Sequence, residues 1–169
     1  MSITIYDVAV APTIKSLQNL DAILAKAETF AEEKKIDPEV LMQSRLRPDM
    51  LPFVAQIRIA SDVAARAAAR LTGSELPSFE DNEKTLADAR GRVQKSISYL
   101  ETYKPEQFEG AENRNIEMKL GPEDVKFTGK EFVTYFVLPN VYFHVTTAYA
   151  LLRYAGLEIG KADYLCARP

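Results

Sequence analysis

The chain of 169 residues has a single cysteine, Cys166, and a single histidine, His144. One cysteine excludes an internal disulfide and fits a reducing compartment, so the expected location is the cytoplasm. One histidine excludes the all-imidazole metal sites and leaves His144 as the sole imidazole base for nucleophile–base chemistry. Excess positive charge is also missing. The net charge is −3 and no Lys/Arg cluster is interleaved with aromatics, which argues against a nucleic-acid surface. No glycine-rich phosphate loop occurs, and the opening MSITIYDVAV has neither the basic nor the long apolar region of a secretory signal. The last absence is local. From Phe132 to Leu152 there is no Asp, Glu, Lys or Arg. That stretch is long enough to span a bilayer, but Pro139, Asn140 and His144 in its middle, with Thr134, Thr146 and Thr147 nearby, make membrane depth costly. No membrane association is expected.

What is present is helical periodicity in one domain, residues 1–169. Ile14, Leu17, Leu20, Leu24, Ala27 and Ala31 mark the core stripe of a helix over Tyr6–Lys35, with Pro12 placing the start nearer Ala11 or kinking the first turns. Asp37-Pro38 opens a short helix to about Ser44. Asp49 is positioned to cap a helix to Thr72, ended by Gly73, with Phe53, Ile57, Ala60, Ala64, Ala67 and Leu71 inward. On its other side Arg58, Asp62, Arg66 and Arg70 recur every four residues. An arginine-clamped catalytic carboxylate is one reading of Asp62; a solvated face of weak ion pairs is the simpler one. A third helix is expected from Glu80 or Asp81 to Lys104. Ile116, Met118 and Leu120, then Val125 and Phe127, alternate with polar residues around Gly121-Pro122-Glu123-Asp124, which predicts a hairpin packed on the bundle. The last helix should run from Gly129 or Lys130 to Ala155, bent at Pro139. It is apolar on two faces, so a second cover is needed beyond the bundle: the hairpin, the tail 157–169, or another subunit.

The candidate pocket lies on that helix. Asn140 and His144, four residues apart, share one face. A hydrogen-bonded core pair is one reading. A metal site is another, with Gln56 as third ligand, but amides are poor partners for the zinc or nickel that imidazole suits. A pocket for a small molecule is the third. Tyr135, Tyr142 and Tyr149, at seven-residue spacing, form a packing seam and the expected interface of a homodimer.

The segments PNVYFHVTTAYALLRYAGLEIGKADYL, YDVAVAPTIKSLQNLDAILAKA and RLRPDMLPFVAQIRIASDVAARAAARLTG resemble a DUF1993-like branch of the DinB/YfiT-like superfamily, over nearly the whole chain. The resemblance implies an all-α, up-down-down-up four-helix bundle, often dimeric. Better-known members carry three metal-binding histidines, two of them four apart on the last helix before a Leu-Arg-x-x-Gly stretch. His144 matches the second of that pair, ahead of Leu152-Arg153-Tyr154-Ala155-Gly156. Asn140 stands at the first, and Gln56 is the match for the helix-two ligand. Two of the three ligands are thereby replaced. Three functions follow as expectations: a bundle binding a small ligand or partner through a degenerate metal pocket, with no tight cofactor; a metal- or thiol-dependent enzyme of the superfamily kind; or a purely structural dimer.

Overall fold

The computed structural model describes residues 3–165, so Cys166 and the end of the tail lie outside the described residues. Four long helices form the frame: α1 (Ile5–Lys34), α3 (Phe53–Thr72), α4 (Leu86–Glu101) and α6 (Leu138–Tyr154). Short helices α2 (Pro38–Met42), α5 (Gly129–Glu131) and α7 (Lys161–Leu165) and a hairpin of β1 (Asn115–Leu120) with β2 (Glu123–Thr128) complete it. Among the described residues no helix is long and apolar enough to cross a membrane.

Side-chain pairs between helices give their directions. Arg90 of α4 reaches both Asp21 and Glu28 of α1, and Gln94 reaches back to Asp21, so α1 and α4 are antiparallel. Gln56 meets His144 while Leu71 lies against Gly129, so α3 opposes α6. Arg58 pairs with Glu83 and Asp62 with Arg92, so α3 and α4 run the same way. Val8 faces the same groove as Val133, and Phe30 lies beside Gly156, so α1 and α6 are parallel. The bundle is therefore up-down-down-up. Two consecutive parallel helices require residues 73–85 to run back beside α3, whose 20 residues span about 30 Å.

The predicted stripes are the core. Leu17, Leu20, Leu24 and Ala27 are fully buried, as are Phe53, Ala60 and Leu71. The hairpin pairs Ile116 with Phe127 and Met118 with Val125. It packs on the bundle through Phe127, whose ring lies 6.2 Å from Phe132 and 6.3 Å from Phe136. Gly129 fixes where the last helix starts: a Cβ there would sit 1.8 Å from the Ala111 carbonyl oxygen.

Several boundaries differ from expectation. α1 begins at Ile5 and carries Pro12 inside it. α3 begins after Pro52 rather than at Asp49. α4 begins after Thr85, not at Asp81, because residues 80–83 belong to the crossover. The bend expected at Pro139 takes the form of a π-helical stretch, Phe132–Val137, between α5 and α6. A regular helix would drive the proline ring into the carbonyl four residues earlier, and the wider π turn relieves this.

Candidate functional site

His144 and Gln56 come together. The His144 Nδ1 lies 2.7 Å from Gln56 Oε1, with Gln56 2% and His144 9% exposed. Gln56 Nε2 in turn donates to the Leu51 carbonyl oxygen at 3.0 Å. α6 supplies His144, α3 supplies Gln56 in its first turn, and the loop before α3 supplies Leu51. Burial pushes the imidazole pKa below its ordinary 6.5, so the ring is neutral at neutral pH. The Phe143 ring stands edge-on to the imidazole at 5.1 Å and is itself more than half exposed. Asn140 is half-buried one turn earlier, and its side chain makes no hydrogen bond to a described residue.

These donors do not fit a superfamily-type metal. His144 is the one imidazole, and both polar atoms of Gln56 are already engaged. Among the described residues no three His, Cys, Asp or Glu side chains converge on a common point. Cys166, the remaining thiol of the sequence, falls outside the described residues.

The tyrosines separate. Tyr135 is 73% and Tyr142 40% exposed. Tyr149 is covered by Tyr164 of α7, ring to ring at 6.0 Å. The tail is thus one cover of the last helix. It is held by Lys26 to Asp163 at 2.5 Å, Asn19 to the Tyr164 carbonyl at 2.7 Å, and Thr146 to the Tyr164 hydroxyl at 3.0 Å. Phe143 and Tyr154, which the sequence reading passed over, join Tyr135 and Tyr142 among the exposed aromatics.

The stripe around Asp62 is not a solvated face. Asp62 accepts from Arg92 at 2.5 Å, and the Arg92 side chain is only 2% exposed. Arg92 also donates to Glu83 at 2.8 Å and to the Glu80 carbonyl at 3.0 Å, and lies 5.0 Å from the Phe79 ring. Glu83 accepts from Arg58 at 2.5 Å. Burial disfavours the Arg92 charge, but Asp62 and Glu83 outweigh it and hold its pKa above the ordinary arginine value. Arg58, Arg66 and Arg92 balance Asp62, Asp81 and Glu83, leaving no net charge with which to bind an ion. The cluster fastens the crossover to α3 and α4.

The grooves lined by other residues carry less chemistry. A groove of about 580 Å³ at the end of the bundle away from His144 is lined largely by Ile3, Ile5, Val8, Phe108 and Val133. It offers shape and apolar surface; the imidazole is the group with reactive character, so His144 defines the candidate site.

Residues 5–165 match the family described as a domain of unknown function, DUF1993. No curated protein matches the chain. Among solved structures, a DinB family member protein from Shewanella denitrificans is 43% identical, with 97% of this chain and 93% of that chain covered and a TM-score of 0.87. With a family match over nearly its whole length and a close relative of the same architecture, the chain belongs to the DUF1993 family, on a DinB-like bundle.

Proposed function

We propose that this protein is a binding bundle, taking a small molecule or partner at the His144 end and holding neither zinc nor nickel tightly. In this reading it works in the cytoplasm as a homodimer, paired through Tyr135, Tyr142 and their neighbours on the last helix. The hydrogen bond between Gln56 Oε1 and His144 Nδ1 carries the proposal. It commits the residue at the helix-two position to fixing the imidazole rather than to ligating beside it. Tight metal sites draw on several imidazole or deprotonated ligands in fixed geometry, and amides do not replace them.

Titration calorimetry with zinc and nickel after chelator treatment tests this. The parent should show no tight binding. Asn140→His with Gln56→His restores an imidazole set on the same two helices and should create a measurable site. Stoichiometric tight binding by the parent would overturn the proposal and favour a metalloenzyme. A double variant that stays silent would remove Gln56 as the helix-two position.

A further inference from the structure

The Leu51 carbonyl oxygen only accepts hydrogen bonds, so the Gln56 atom 3.0 Å from it is the amide nitrogen. The atom facing His144 is then Oε1, which also only accepts. His144 Nδ1 must therefore donate. A neutral imidazole has one N–H, so Nε2 carries the lone pair. Among the described residues Nε2 has no partner. It is also absent from the polar atoms sealed from solvent without one, which are Ser61 Oγ, Arg66 Nε, Arg92 Nε and Ser96 Oγ. A hydrogen-bond acceptor of fixed orientation is thus left unpartnered and not sealed from solvent. Beside it stand the exposed part of the Phe143 ring and, one turn away, the free amide of Asn140.

We infer that His144, locked in its Nδ1–H tautomer by Gln56 and the Leu51 carbonyl, binds a small uncharged ligand with an O–H or N–H donor and an apolar body. The donor meets Nε2, the body lies on Phe143, and Asn140 takes a second polar group. An anionic oxygen in the same place would meet a lone pair. This inference rests on the metal-free reading above and adds the ligand's chemistry.

Because the chain has one histidine, ¹⁵N-histidine labelling reports this ring alone. At neutral pH, Nδ1 should give the protonated, pyrrole-type signal and Nε2 the pyridine-type signal. Gln56→Met removes the acceptor and should shift the population toward Nε2–H; the parent spectrum needs no variant to be decisive. Phenol, as probe, should move the Nε2 signal saturably, whereas toluene, the same shape without the hydroxyl, should not. Phe143→Ala should weaken the phenol response several-fold. An Nε2–H tautomer in the parent would overturn the inference, as would equal responses to phenol and toluene or no saturable response. Zinc moving Nε2 at one equivalent would instead sink the metal-free reading while leaving the tautomer assignment standing, so the two failures are distinguishable.

Discussion

Asp62 and Asp49 are chemically the same residue in opposite surroundings. Asp49 pairs with Arg47 at 3.6 Å with both side chains 77% exposed. Asp62 holds the buried Arg92. An exposed pair contributes under about 1 kcal/mol, whereas removing one partner of a buried charge strands the other. Asp49→Ala should change stability in urea by at most about 0.5 kcal/mol. Asp62→Ala should lower it by about 2 kcal/mol, less than a complete loss because Arg92 keeps Glu83. Equal effects from the two substitutions would restore the solvated stripe. The sequence could not separate these cases. A four-residue charge repeat looks the same whether water or a crossover covers it, and Glu83, the covering residue, lies 25 positions from Arg58. His144 and Gln56 are 88 positions apart. Helical spacing put His144 on the inward face and the family resemblance singled out Gln56, but the orientation of the Gln56 amide depends on the Leu51 carbonyl, which no local pattern encodes.

Among the elements, the apolar stripes were legible, as were the starts at Pro38 and Gly129; the starts of α3 and α4 were not, although a signal for that of α4 is present. Thr4–Asp7, Thr85–Asp88 and Thr128–Glu131 are all capping boxes, opening α1, α4 and α5. In each, the threonine hydroxyl accepts from the third helical N–H and the acid accepts from the threonine N–H. Reading T-x-x-[DE] at Thr85 places the start of α4 correctly, where the acids at 80–83 misdirect it toward the crossover. The boxes also make stability depend on pH. The N–H groups of Lys84 and Thr85, then the Thr85 hydroxyl, hold the Asp88 carboxyl below its ordinary 3.8. A depressed folded pKa contributes stability that is present above the unfolded value and lost as pH falls through the folded one. Asp88→Asn should therefore be less stable than the parent by about 0.5–1 kcal/mol at neutral pH. The gap should close as the pH drops below 3.8, the ordinary value for the group. Unfolding curves from neutrality down to about pH 2 decide it, and a gap that persists unchanged at the acid end contradicts the capping role.

For the whole molecule, the uncharged side of the last helix is only partly covered by the rest of the chain. Phe132–Leu152 carries no ionised side chain apart from what His144 supplies when protonated, yet Tyr135 and Tyr142 remain exposed. The tail has taken Tyr149, and the hairpin has taken Phe132 and Phe136. A surface depleted of charge and enriched in tyrosine has the composition of an interface core, and a helix face pairs with itself about a two-fold axis without further elements. The three tyrosines, equivalent in spacing, should then behave differently. Tyr135→Glu with Tyr142→Glu places charges in the proposed contact and should convert a dimer into a monomer in sedimentation velocity at micromolar concentration, with little change in monomer stability. Tyr149→Ala should leave the dimer intact and lower stability by about 1–2 kcal/mol, since its ring packs within the chain on Tyr164. A parent that sediments as a monomer removes the homodimer altogether. A Tyr149 variant that dissociates while the double glutamate variant does not would move the interface from the exposed aromatics to the face now covered by α7.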